Sequence, residues 1–258
     1  MDTAALRAAL LSVSAYKDVL RAPVMDTLLR LLSALSLHRG EEALGAYTDL
    51  FYALRQAGFS SLGDYLADAL RWDEGPYPRL AEAGGEDAVL AGAAQRDLTA
   101  FSLLAGMDGQ LWLDALGDCL GAEEKWLTEG LPTWAGGVPF SFEGLTERYQ
   151  KEGAGTFARY RAFVWEDGAL IPVADPDCPS QEALLGYEEQ RQEVWRNTQA
   201  LLAGHRVNNV LLYGESGTGK SATVKHLLTL PGTGELRLIE ADKENLSGLP
   251  ALIRSLRG

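Results

Sequence analysis

Apolar residues recur every three or four positions through the first half of the chain, which is the spacing of one helix face. The stripes predict helices over residues 6–20, 24–35, 44–54, 62–70, 86–104 and 108–120. Gly40 and Gly58 follow two of these stripes and are predicted to end them. The pattern therefore predicts a helical N-terminal domain over residues 1–159.

Two stretches interrupt the helical pattern. Residues 72–78 contain Gly75, Pro76 and Pro78 and are predicted to form a loop. Residues 130–144 are rich in Gly and Pro and are predicted to form a long connector.

Between residues 160 and 173 the pattern changes to short apolar runs. Residues 163–165 and 170–173 flank Glu166-Asp167-Gly168, and Asp-Gly between two such runs predicts a β-hairpin. Residues 174–179 are acidic and proline-rich, and we place a domain boundary there. The hairpin and linker thus cover residues 160–179, and a second domain covers residues 180–258.

The second domain is predicted to mix helices and strands. A helix is expected over residues 187–202, a buried strand over 210–213, a second strand over 236–240 and a last helix over 249–256. Another helix is expected to begin near Lys220, directly after a glycine-rich loop.

That loop contains the candidate chemistry. It reads Gly214-Glu215-Ser216-Gly217-Thr218-Gly219-Lys220-Ser221 and fits G-x-x-x-x-G-K-[ST] at every fixed position. Its three glycines can take positive φ values and turn backbone amides toward an anion. In such loops the lysine, here Lys220, contacts the β- and γ-phosphates, and the hydroxyl of Ser221 is a ligand of Mg²⁺. We therefore predict a phosphate-binding loop for a nucleoside triphosphate with Mg²⁺.

Composition and charge exclude other classes of protein. No apolar run approaches the roughly 20 residues of a membrane helix, and no signal sequence is seen, so a soluble, cytoplasmic protein is expected. Cys119 and Cys178 lack disulfide or metal-site spacing. Residues 1–180 carry 14 basic and 27 acidic residues, whereas residues 181–258 carry 9 of each. Without a basic cluster, direct binding of nucleic acid is disfavoured.

Three segments indicate a family: GYEEQR at residues 186–191, GESGTGKS at 214–221 and EADKENL at 240–246. They resemble a bacterial family of AAA-type ATP-binding proteins known as a domain of unknown function. The similarity extends to residues 156–177 and, more loosely, to residues 44–70.

This resemblance implies an incomplete α/β P-loop domain of the AAA type, which binds ATP and Mg²⁺ and follows the helical domain. It places Gly186 and Tyr187 near the adenine, although an aromatic packed at a helix start is an equally compatible interpretation of Tyr187. The resemblance also implies a homo-oligomer, because AAA sites form between subunits. It further implies an unknown protein partner.

The chain departs from the family after the second strand. The acidic Walker B residues, the sensor residue, the arginine finger and the helical lid do not appear before Gly258. We therefore expect the N-terminal portion of a longer protein, with no catalytic residue of its own and weak or no nucleotide binding in this form. Its two predicted strands are not neighbours in the family's sheet, so their backbone groups are expected to lack partners.

Three functions stay open. The first is an ATPase that, in the full-length protein, remodels or regulates an unknown partner. The second is a nucleotide-sensing module without turnover, and the third is an adaptor whose exposure is controlled by the nucleotide. A GTPase is disfavoured because no Asn-Lys-x-Asp tetrad appears, whereas a P-loop kinase stays possible. Asp242, after the second strand, is a weaker candidate for the site.

Overall fold

The computed structural model describes residues 2–256, apart from the side chain of residue 246. Contacts divide the chain into two units, Met1–Ala158 and Arg159–Gly258. The helices of the first unit are α1 (Thr3–Leu11), α2 (Lys17–Leu20), α3 (Pro23–Ser36), α4 (Gly40–Gln56), α5 (Leu62–Arg71), α6 (Pro76–Glu82), α7 (Ala88–Gly106), α8 (Gly109–Leu120), α9 (Phe142–Glu152) and α10 (Gly155–Arg159), which reaches the boundary. The second unit contains β1 (Ala162–Glu166), β2 (Ala169–Val173), α11 (Glu188–Leu202), α12 (Lys220–His226), β3 (Leu238–Ala241) and α13 (Leu249–Ser255).

The first unit is built around α3, which packs most extensively against α4 and also contacts α1 and α8. Pro23 occupies the first turn of α3, where a missing amide costs nothing. One face of α3 is buried, and its largest apolar residues are Val24, Met25, Leu28, Leu31, Leu32 and Leu35. The mostly helical character predicted from the apolar stripes is confirmed.

The helix predicted over residues 6–20 is wrong as a continuous element. It breaks between α1 and α2 because the backbone amides of Ser14 and Ala15 donate to the carboxylate of Asp97 at 2.8 and 2.7 Å. Amides used in this way cannot make helical bonds. The acceptor lies on α7, 82 residues from Ala15, so local spacing could not reveal it.

Three other boundaries also differ from the prediction. Gly40 starts α4 instead of ending α3, and a Cβ at this position would lie 3.1 Å from the Cα of Leu120, which is a tight contact. Pro76 and Pro78, predicted to lie in a loop, form the first turn of α6. Gly144 lies inside α9, which is capped by the Ser141 hydroxyl at 3.0 Å from the Gly144 amide.

The second unit contains a three-stranded mixed sheet in the order β2-β1-β3. β1 and β2 form the predicted hairpin, with Asp167 and Gly168 at φ values of 48° and 80° in its two-residue turn. β3 pairs with β1 in parallel, and the Leu238 amide donates to the Arg161 carbonyl at 2.9 Å. The sheet therefore joins the hairpin to β3, across the stretch 174–179 where the sequence placed a boundary.

The predicted strand over residues 210–213 does not form. This segment has no regular secondary structure, no described strand pairs with it, and Leu211 and Tyr213 are 83% and 88% exposed. A strand is stabilised by its ladder partners, and here those partners are missing. The second predicted strand forms as β3, two residues later than expected, and it is not a neighbour of residues 210–213.

The two units differ in how much apolar surface they bury. The large core lies in the first unit, whereas the buried apolar residues described in the second are Ala162, Phe163, Trp165, Leu184, Val194, Leu228 and Leu252. No helix within the described residues combines the length and the apolar character needed to cross a bilayer.

Candidate functional site

The backbone of residues 214–221 depends on glycine. Gly214, Gly217 and Gly219 have φ values of 141°, 80° and 76°, a range that L-residues rarely adopt. A Cβ added to Gly217 or Gly219 would meet nothing within 4 Å. Glycine is therefore needed there for its backbone angles and not because of crowding.

The amides of this loop point to no protein acceptor. Among the described residues, none accepts a hydrogen bond from the backbone N–H of residues 215–219. Successive free amides in a glycine-rich turn form a concave surface that suits an anion.

Lys220 lies within the same loop and folds back onto it. Its Nζ donates to the carbonyls of Gly214 and Glu215 at 3.1 and 2.6 Å, and to Oγ1 of Thr218 at 3.3 Å. These acceptors are neutral, so an anionic oxygen would offer a bond about twice as strong. The ammonium group is thus already positioned at the bend of the loop.

The helix after the loop is fixed by Thr223. Its amide and its hydroxyl both donate to the carbonyl of Gly219, at 2.8 and 2.9 Å. Gly219 is the residue before α12, and Lys220 and Ser221 occupy the first turn. The local order of loop and helix predicted from the sequence is therefore present.

A cavity of about 500 Å³ opens beside the loop, which is within the usual range for a small-molecule site. It is lined by Tyr187, Gln190, Arg191, Val194, Leu211, Leu212, Tyr213, Gly214, Glu215, Thr218, Lys220 and Thr223. The wall thus combines aromatic and aliphatic side chains with the cation Lys220, while the guanidinium of the second cation, Arg191, is bonded to the Gly186 carbonyl. This mixture suits a ligand with an apolar part and an anionic part.

The chain turns sharply at Gly186 and Tyr187, just before α11, and we call this turn the corner. Gly186 and Tyr187 both lie in the left-handed region, at φ values of 71° and 59°. This conformation costs a residue such as tyrosine roughly 1–2 kcal/mol. The guanidinium of Arg191 donates to the carbonyl of Gly186 and so ties down the corner.

Ten residues were proposed for the site from the sequence, and five of them line the cavity: Tyr187, Gly214, Glu215, Thr218 and Lys220. The other five belong to the loop or adjoin Tyr187 without lining the cavity: Gly186, Ser216, Gly217, Gly219 and Ser221. The side chain of Ser221 is exposed and borders a neighbouring space together with Lys220. Asp242, the weaker candidate, is exposed and outside the cavity wall.

Sequence reasoning did not select Gln190, Arg191, Val194 or Thr223, all of which line the cavity. The segment GYEEQR ends on Arg191, but a basic residue in the first turns of a helix has many ordinary uses. The role of Arg191 at this site is seen only from its hydrogen bond to the Gly186 carbonyl. No cluster of three His, Cys, Asp or Glu residues suited to a metal occurs in the part of the chain described.

Residues 158–258 match the model of a family described as "Protein of unknown function (DUF815)". The match covers the second unit and supports the resemblance to a family of unknown function for this part of the chain. Residues 44–70, to which the sequence extended the resemblance, lie outside it. No curated protein and no solved structure matches the chain.

Proposed function

We propose that the second unit binds ATP together with Mg²⁺ at the loop of residues 214–221. The observation that supports this most directly is the loop itself. Its amides at residues 215–219 have no acceptor among the described residues, its lysine ammonium lies against the Gly214 and Glu215 carbonyls, and it opens on a cavity of about 500 Å³ whose wall includes Tyr187. An anion-binding loop beside an aromatic wall fits a nucleotide better than inorganic phosphate alone.

In this proposal the loop and Lys220 bind the phosphates. The ammonium exchanges its contacts with the Gly214 and Glu215 carbonyls for charged oxygens, which are the stronger acceptors.

Ser221 is the proposed protein ligand of Mg²⁺. Its side chain is exposed, and its hydroxyl has no hydrogen-bond partner among the described residues, so it is available to a cation. Mg²⁺ commonly takes few ligands from the protein and the rest from phosphates and water. When bound, it would neutralise phosphate charge.

Tyr187 and Gly186 are proposed to lie near the adenine. Tyr187 is 58% exposed although it lines the cavity, so it is accessible to a ligand. Stacking of a base on an aromatic ring is worth about 1–3 kcal/mol in nucleic-acid complexes.

The test is Lys220→Ala in the full-length protein, with isothermal titration of ATP in the presence and absence of Mg²⁺. Hydrogen bonds to charged groups contribute about 1.5–3 kcal/mol, so a loss of ATP affinity of roughly ten- to a hundredfold is expected. The control is Lys243→Ala, which removes the same charge from a side chain that is 85% exposed and outside the cavity. Unchanged affinity in Lys220→Ala, or an equal loss in both variants, would contradict the proposal.

We further propose that hydrolysis, and remodelling or regulation of a protein partner, belong to the full-length protein acting as a homo-oligomer. Glu215 is the acidic residue among the described cavity-lining residues, and it occupies a variable position of the loop pattern, so no catalytic role is assigned to it. This arrangement equally supports the alternative of nucleotide sensing without turnover. ATP-dependent phosphate release by the full-length protein separates the two.

A further inference from the structure

The corner at residues 186–187 has an uncommon backbone conformation and brings Tyr187 to the cavity wall. Two consecutive residues take left-handed angles, and the second is a tyrosine with φ 59° and ψ 31°. Gly186 accepts this conformation freely, whereas a residue with a Cβ does so only where the surroundings hold it. The direction in which the Tyr187 ring leaves the backbone is thus set by the corner.

Arg191 is what holds the corner in place. Its guanidinium donates to the Gly186 carbonyl, and its own amide donates to the Tyr187 carbonyl at 3.0 Å as the first bond of α11. Its other contact is an ion pair with Glu188 at 3.5 Å, whose carboxylate side chain is 70% exposed. Because exposed ion pairs contribute little, the bond to Gly186 is the one that matters for geometry.

The two ends of the cavity wall therefore depend on different residues. The loop amides and Lys220 are organised by the glycines and by Thr223, without any hydrogen bond to Arg191. Tyr187 is organised by the corner that Arg191 ties down. A change at Arg191 should therefore affect one part of a bound nucleotide and leave the other part alone.

We propose that Arg191 is a positioning residue for the base of the nucleotide, acting through the Gly186 carbonyl to fix Tyr187 on the cavity wall. The inference rests on the proposed function. It assigns to Arg191 a contribution to the binding of the nucleoside part and none to the binding of the phosphate chain.

The test compares two ligands, ATP and inorganic tripolyphosphate, on the full-length protein. Arg191→Gln should weaken ATP binding about tenfold, or about 1.4 kcal/mol, while the affinity for tripolyphosphate stays within about twofold. Arg191→Lys keeps a cationic donor that can reach one carbonyl and should recover part of the loss. Arg196→Gln is the matched control, because it lies on the same helix, is exposed and does not line the cavity.

A double-mutant cycle with Tyr187→Ala provides a second readout. If Arg191 acts through Tyr187, the two substitutions together should cost no more ATP affinity than Tyr187→Ala alone. Thermal melting of each variant shows whether a loss of binding reflects a loss of folding.

An equal loss of both ligands in folded Arg191→Gln would overturn the inference, since Arg191 would then act on the phosphates. No loss of either ligand would overturn it as well. Both of these outcomes leave ATP binding at the loop intact. If the unaltered protein binds neither ligand, the proposed function fails and this inference fails with it.

Discussion

Asp73 is an acidic residue in surroundings that disfavour its charge. It is 5% exposed and lies between α5 and α6, where its carboxylate accepts a hydrogen bond from the Gly75 amide at 2.9 Å. Burial raises the pKa of Asp73 to about 6, with smaller contributions from Asp18 and Glu74, while the bond from Gly75 acts in the opposite direction. The folded state therefore binds a proton here more tightly than the unfolded chain does.

This pKa predicts a pH-dependent gain from Asp73→Asn. The unfolded value is near 3.9, so protonated Asp73 favours folding below about pH 4, and that contribution is lost as the pH rises through about 6. At pH 8 the variant should be more stable by about 2–3 kcal/mol, since the amide carries no charge to bury. At pH 4 the difference should be small.

Urea unfolding of both proteins at pH 4 and pH 8 measures this. Asp118→Asn, at an exposed position on α8, is the control for the same Asp-to-Asn exchange outside the core. A stability difference that is the same at both pH values would show that Asp73 is ionised equally in the folded and unfolded states.

At the scale of elements, Asp97 joins α7 to the turn between α1 and α2. It is 1% exposed and accepts the amides of Ser14 and Ala15, and the neighbouring Arg96 donates to the Ser12 carbonyl at 2.6 Å. The ends of two helices thus depend on one carboxylate far away in sequence.

Asp97→Ala should lower the free energy of unfolding by about 2–4 kcal/mol, because it removes two hydrogen bonds to a charged acceptor and leaves amides unpaired near the core. Asp97→Asn keeps one acceptor oxygen and should lose less. Chemical unfolding monitored by circular dichroism gives both values. Asp114→Ala on α8, which loses only a bond to Gln110, is the control; a comparable effect there would argue against the special role of Asp97.

The same elements show what could be predicted from the sequence. The hairpin was predictable because Asp167-Gly168 fixes a turn between neighbouring strands, and the loop was predictable because its glycines and lysine are contiguous. The break before α2 was not, since its cause lies on α7. Arg191 was missed for a similar reason, because its role appears only once the corner at Gly186 is seen.

At the scale of the whole molecule, the candidate site lies in the unit with the smaller core. Regions with few buried apolar contacts open locally at a lower free energy than well-packed ones. α11 buries Val194 and Thr198 and α12 buries none of its residues, whereas α3 buries a full face.

Hydrogen exchange followed by mass spectrometry should therefore show faster exchange in α11 and α12 than in α3 and α4. Saturating ATP with Mg²⁺ should slow exchange in the loop and in these two helices and leave α3 unchanged. At a ligand concentration of about 100 times Kd the added stability is about 2.7 kcal/mol. Equal protection of both units without ligand, or protection of α3 by ATP, would contradict this prediction.

The unpaired stretch at residues 210–213 has a consequence for handling the protein. Leu211 and Tyr213 project into solvent beside main-chain groups that no described strand engages. An exposed apolar segment with unpaired backbone groups can form a β-strand with a second molecule. Concentrated samples should therefore aggregate first through residues 210–213. Both side chains also border the cavity, so aggregation and nucleotide binding would compete for the same surface. Added nucleotide should therefore reduce aggregation of the protein.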